Sequence, residues 1–364
     1  MTNPRFRSGL PRLYESEISP AIASARFGLD PAQILDFSLN VNPFGPPASA
    51  VAAARAALER CNAYPDTRLA ALRAALAHRH VVADDQLFFG AGLDDVIKLV
   101  LQAWVGDGDA VLVHVPTFPR YELEARLCGA NLIAVESDPP WTIDVDSIRA
   151  QLAEGRVGAA FLCTPNNPTG ATIGTPVICA MARDFRDTIF IVDEALGNPL
   201  DEGAIALARS EPNVVVLRTF SKAFGLAGLR IGYAVGPVAL LALAERGRPP
   251  FNVTALAEAA ALAALDDAAF VTRSYDTFRA ETQRFADALE RLPAFALRGR
   301  HANMLLLEVK AGTTGQCIDR LAERGLLVAD GACFGSRHEG AAIRVSLRDR
   351  AANARLLAAL AVLG

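Results

Sequence analysis

Short apolar runs recur through the middle of the chain, each closing on a polar or glycine-rich segment. They are Ala110-Val111-Leu112-Val113-His114-Val115, Ala159-Ala160-Phe161-Leu162-Cys163, Thr188-Ile189-Phe190-Ile191-Val192 and Val214-Val215-Val216-Leu217. Runs this short and this greasy suit strands covered on both faces. Between them the period changes. Leu93, Val96, Ile97, Val100, Leu101 and Trp104 recur at spacings of three and four, the stripe of an amphipathic helix. From residue 43 to about 250 this alternation predicts an α/β fold: a mostly parallel sheet with helices on both faces and its chemistry at the strand ends. After Pro249-Pro250-Phe251-Asn252-Val253 an alanine-rich helical region runs to about 290. A second α/β unit follows, with strands near 304–309 and 342–347. The expected division is an N-terminal arm (1–42) packing with a small C-terminal domain (251–364), and a large domain (43–250) between them.

Composition narrows the function classes. The chain has 364 residues, 52% of them hydrophobic, enough for a large core. Its formal net charge is −4 and no basic run or basic-aromatic stripe occurs, which argues against nucleic acid as a partner. The six cysteines and five histidines show neither Cys-x-x-Cys nor metal-ligand spacing, so no metal is expected and the thiols are expected to be free. The start is polar, without an apolar signal core, and stretches such as 255–265 are too short to span a bilayer. A cytoplasmic enzyme without membrane contact is the expectation.

The chemistry concentrates after the last of those strand-like runs. Arg218-Thr219-Phe220-Ser221-Lys222-Ala223-Phe224-Gly225-Leu226-Ala227-Gly228-Leu229-Arg230 places two hydroxyls before a lysine and an arginine eight residues beyond it. A cofactor carrying an aldehyde and a phosphate needs this set. The amine of Lys222 can form a Schiff base, while Thr219, Ser221 and Arg230 can bind a phosphate dianion. Pyridoxal 5'-phosphate (PLP) is such a cofactor. Asp193 ends the run 188–192, where a carboxylate could pair with a protonated pyridine nitrogen. Gly90-Ala91-Gly92-Leu93-Asp94-Asp95 opens the amphipathic helix, and a glycine-rich helix entry offers backbone N–H groups to a phosphate.

Together with Pro165-Asn166-Asn167-Pro168-Thr169-Gly170, these segments resemble, in order, those of the aspartate aminotransferase superfamily. The resemblance implies a fold type I PLP enzyme, with a mostly parallel seven-stranded sheet between helices and a smaller α/β C-terminal domain. It implies that Ala91, Gly92, Leu93 and Asp94 line the phosphate turn, that Asn167 donates to the ring oxygen, and that Phe118 stacks on the pyridine. Arg344, in Ile343-Arg344-Val345-Ser346-Leu347, resembles the arginine that clamps a substrate α-carboxylate, with Asn167 and Asn42 also at the substrate. Tyr64 resembles a tyrosine that reaches the cofactor phosphate of a partner subunit, implying a homodimer with composite active sites.

Within the superfamily, Tyr64-Pro65-Asp66, Arg218–Arg230 and Pro250-Phe251-Asn252-Val253 look like histidinol-phosphate aminotransferases. Asp36-Phe37-Ser38-Leu39-Asn40-Val41-Asn42-Pro43 looks more like threonine-phosphate decarboxylases. Val41 stands where the aminotransferases commonly have glutamate. Leu196 stands where the family commonly has a tyrosine bonded to the ring oxygen, and Ala329 replaces an arginine that holds substrate phosphate. Arg337 and Arg348 are the candidates to replace that guanidinium. The expected activity is amino-group transfer between an amino acid or related amine and a keto acid. The alternatives are a PLP-dependent decarboxylase or oxidase and, more remotely, a non-catalytic binding protein of the same fold.

Overall fold

The computed structural model describes residues 19–137, 141–335 and 341–363. A helix (Pro20–Phe27) precedes β1 (Leu35–Asp36). The chain then forms β2 (Leu87–Gly90), β3 (Ala110–Val115), β4 (Asn131–Glu136), β5 (Ala159–Cys163), β6 (Ile189–Asp193), β7 (Val214–Thr219) and β8 (Gly232–Val235). Strands β2 to β8 make one seven-stranded sheet in the order β2-β8-β7-β6-β5-β3-β4. Strand β8 alone runs against its neighbours; the others are parallel.

The greasy runs bury both faces of this sheet, and alternate residues separate two cores. Leu112, Ala160, Leu162, Phe190, Val192, Val214 and Val216 pack into one. Val111, Val113, Phe161, Ile191, Val215 and Leu217 pack into the other. The helix Leu93–Trp104 covers the second face, burying the stripe that its period announced. The helix Ala255–Leu265 lies beyond the expected boundary at residue 250, yet its Ala257, Ala260, Ala261 and Ala264 belong to the first core.

Downstream come β9 (Phe295–His301), β10 (Met304–Val309), β11 (Leu326–Leu327), β12 (Ala329–Asp330) and β13 (Ala342–Ser346). Strands β12-β13-β10-β9 form an antiparallel sheet. Strand β1 pairs in parallel with β11, and Phe37 is buried with Phe285, Leu305, Leu307 and Val345. The segment after β1 is thereby held against the C-terminal sheet, facing the ends of the large one.

Candidate active site

Strands β3, β5, β6 and β7 run side by side in one direction, so the residues that follow them gather at one edge. A cavity of about 270 Å³ opens there. Its lining includes Phe118 after β3, Cys163 at the end of β5 and Asn167 beyond it, Asp193 at the end of β6, and Thr219, Ser221 and Lys222 at the end of β7. Leu93, Asp94 and Arg230 close one side; Leu39, Asn40, Val41 and Arg344 close the other.

Asp193 is 3% exposed and held from two directions. The Ala195 N–H donates to Oδ1 at 2.8 Å and the Tyr121 hydroxyl donates to Oδ2 at 2.8 Å. Burial raises its pKa to about 6, against the opposing pull of those two donors. The neighbouring carboxylate, Glu194, is spent on structure: it bridges Arg218 at 2.7 Å and accepts the Ala204 N–H. Adjacent carboxylates therefore do different jobs.

Tyr121 is a site residue that sequence reasoning missed. It lies one helical turn beyond Phe118, stacked on Phe161 at 4.5 Å and edge-on to Phe118 at 5.7 Å. That spacing of three, starting from a residue the resemblance expects at the ring, was the available signal.

Lys222 donates from Nζ to the Asn40 carbonyl at 2.7 Å. Burial, then the nearby Arg344, lowers its pKa to about 8. Asn40 was also missed, and it lines the cavity where Asn42 does not. The Asn42 amide donates to Ala223 O and Ser274 Oγ, and its oxygen caps the Phe44 N–H, so that side chain ties the segment down.

The side of the cavity formed by the helix start and Arg230 is a built cradle. Gly92 has φ +87°, and a Cβ there would fall 2.4 Å from Arg230 Nη2. Only glycine lets the guanidinium lie against the helix start. Arg230 is itself left-handed (φ +55°) and pairs with Asp94 at 3.2 Å. Thr219 Oγ1 accepts the Ser221 N–H at 3.0 Å. The Ala91 N–H is taken by Asp95 Oδ2 at 2.9 Å. The open backbone donors of the turn are thus those nearer Leu93 and Asp94.

Arg344, 4% exposed, joins three segments. Nη1 donates to Asn167 Oδ1 at 3.0 Å, Nη2 donates to the Ser38 carbonyl, and the guanidinium lies 5.2 Å from the centre of the Phe334 ring. By engaging the oxygen of Asn167, it turns that amide's N–H₂ to the other side. Arg348, the sequence candidate for a second substrate cation, donates to the Asp36 carbonyl at 3.1 Å and does not line the cavity. Arg337 lies outside the described residues. Tyr64 is 82% exposed, stacked on Phe251 at 4.5 Å, and away from this chain's cavity.

Residues 32–360 match the family model of aminotransferase class I and II, and the chain belongs to that family. It is a PLP-dependent aminotransferase of fold type I. A histidinol-phosphate aminotransferase of Cupriavidus pinatubonensis is 38% identical over 291 residues, 77% of each chain. The solved histidinol-phosphate aminotransferase of Sinorhizobium meliloti, in complex with pyridoxal-5'-phosphate, superposes with a TM-score of 0.86 at 25% identity, over 99% of this chain and 98% of that one. The L-threonine-O-3-phosphate decarboxylase of Porphyromonas gingivalis superposes with a TM-score of 0.81 at 25% identity, over 91% and 99%. Among the described residues no helix is long and apolar enough to cross a membrane, and no cluster of His, Cys, Asp or Glu could hold a metal ion.

Proposed function

We propose that the cavity transfers the amino group of an α-amino acid, with Lys222 as the proton carrier, Asp193 as the partner of the cofactor ring nitrogen and Arg344 as the carboxylate clamp. The observation that carries this reading is the convergence of those three side chains on one cavity from β7, β6 and β13.

The glycine cradle fits a phosphate. Leu93 and Asp94 N–H groups at a helix start, Thr219, Ser221 and the Arg230 guanidinium would hold it. Phe118 would cover one face of the ring, and the free N–H₂ of Asn167 would donate to its hydroxyl oxygen. When bound, PLP supplies an electron sink that makes a bond at the substrate Cα labile.

The chain's own groups do the rest. Asp193, oriented by Ala195 and Tyr121, stays anionic beside a cationic partner, because the opposite charge offsets the burial that raises its pKa. Lys222, with its depressed pKa, can lose its proton near neutrality and then accept the one from Cα. Arg344 fixes the carboxylate through a planar fork and so sets which Cα bond faces the lysine. A homodimer in the cytoplasm, with Tyr64 completing the neighbouring site, belongs to this reading and is supported by its exposed stack on Phe251.

The deciding experiment mixes the PLP-loaded enzyme with an amino acid and no acceptor. Stoichiometric release of the oxo acid, followed by recovery of the starting spectrum when a keto acid is added, is expected. Release of carbon dioxide with catalytic turnover and no acceptor would assign the site to decarboxylation, and oxygen consumption would assign it to oxidation.

A further inference from the structure

Two residues at the turn between β9 and β10 bond to the walls of the cavity from behind. His301 Nε2 lies 2.9 Å from the Leu196 carbonyl, and Asn303 Nδ2 donates to the Val41 carbonyl at 3.0 Å. Leu196 and Val41 both line the cavity, and they lie 105 and 262 residues from these partners along the chain. A carbonyl only accepts, so Nε2 of His301 carries the proton. Burial holds the pKa of that ring below its usual 6.5 and keeps it neutral, against the pull of the Leu196 carbonyl.

Each of these bonds falls one residue from a contact of the reacting centre. Ala195, next to Leu196, gives its N–H to Asp193 Oδ1 at 2.8 Å. Asn40, next to Val41, accepts from Lys222 Nζ at 2.7 Å. The Tyr275 hydroxyl reinforces the first wall, donating to the Gly197 carbonyl at 2.9 Å and the Leu196 carbonyl at 3.4 Å. The Asn303 amide reinforces the second, donating also to the Leu347 carbonyl at 3.1 Å. The turn itself has little room to shift. A Cβ at Gly299 would collide with the carbonyl of Thr169, two residues beyond Asn167, and Thr282 Oγ1 donates to the Ala302 carbonyl at 2.8 Å.

We propose that His301 and Asn303 are positioning residues for the reacting centre, the β9–β10 turn placing Asp193 through Leu196 and Lys222 through Val41. This rests on the reading of Asp193 as the partner of the ring nitrogen and Lys222 as the reacting amine. The two groups come from neighbouring strands of the large sheet, β6 and β7, but the backbone that orients each is held by one turn of the C-terminal sheet. A single support behind both fixes their separation. Misplacing a reacting group by about 1 Å costs on the order of a hundredfold in rate, and bonds from outside the wall hold a site within such a tolerance.

The test titrates the cofactor-free protein with PLP and with its deaza analogue, which has carbon in place of the ring nitrogen. His301→Phe keeps a ring and loses the donor. It should weaken PLP binding about tenfold, the scale of one hydrogen bond, without weakening the analogue, because only PLP calls on Asp193. His301→Gln, which can still donate, should retain the affinity for PLP. Equal weakening of both ligands by His301→Phe, or of neither, would overturn the role of His301. Asn303→Leu should slow the capture of both ligands about tenfold, because Lys222 attacks either aldehyde. If that variant does not fold, Asn303→Ser, too short to reach Val41, is measured in its place. An unchanged capture rate would overturn the role of Asn303. Asp193→Asn and Lys222→Ala are run alongside. If Asp193→Asn does not distinguish PLP from the analogue, or Lys222→Ala still forms a borohydride-reducible adduct, the underlying reading of those two residues fails. If both behave as expected and the turn variants do not, the positioning role alone fails.

Discussion

Asp193 shows how little of a residue's behaviour is local to it. Its pKa of about 6 is the balance of burial against two donors, and Tyr121 is one of them. A hydrogen bond to a charged group contributes roughly 1.5–3 kcal/mol, so Tyr121→Phe should slow turnover about tenfold to a hundredfold. With one donor gone the carboxyl pKa rises further, and the acid limb of the kcat/KM profile should move to higher pH. A limb that stays in place would mean that Tyr121 serves packing alone. Asp193→Asn should cost at least ~10²-fold in rate, the scale of losing a preorganised electrostatic partner, with the far-UV circular dichroism unchanged. For Lys222 the sign runs the other way, because the neutral amine is the reactive form. Burial and Arg344 lower its pKa from 10.5 to about 8, so the rate at which the cofactor-free protein captures PLP should rise with pH and level off above about 8. Arg344→Gln should push that plateau upward. A rise continuing unchanged toward pH 10 in the wild type would show an unperturbed amine.

Among elements, legibility followed length and period. Strands β3, β5, β6 and β7 and the helix Leu93–Trp104 announce themselves because each is a continuous apolar run or a clean stripe. Strands β2 and β8 do not. They are four residues each, Leu-Phe-Phe-Gly and Gly-Tyr-Ala-Val, and carry glycine at the end where they meet the turn that opens the helix Leu93–Trp104. Gly232 is there because a Cβ would lie 3.0 Å from the Leu93 nitrogen; close approach, not strand propensity, sets the residue. The two-residue strands β1, β11 and β12 have no period to read. Their pairing is a tertiary fact, and with it the arrival of Asn40 at the cavity in place of Asn42. At the same turn, Gly92→Ala would combine a positive φ with a 2.4 Å clash against Arg230. It should weaken PLP binding by tenfold or more, about 1.4 kcal/mol, while the helix itself remains. Titration of the cofactor-free variant with PLP measures this; an unchanged dissociation constant would mean that Arg230 does not need its present seat.

At the scale of the whole molecule, Tyr64, 82% exposed, and Phe251, 39% exposed, present a stacked aromatic pair at the surface of the described residues. Sedimentation is expected to find twice the chain mass. Tyr64→Ala should leave that mass in place but lower PLP affinity, and a monomeric, fully active enzyme would contradict the composite site. Arg344 has a different consequence, one of timing. Its guanidinium bonds to Asn167 and Ser38, partners 177 and 306 residues away along the chain, and Lys222 reaches back 182 residues to Asn40. Contacts this distant in sequence close late, because the entropy of the intervening loops is lost before they repay it. After dilution from denaturant, helical signal should therefore recover first and the ability to capture PLP last. The cofactor would then act as an inspector of finished chains, engaging those in which both ends of the polypeptide have reached the same cavity.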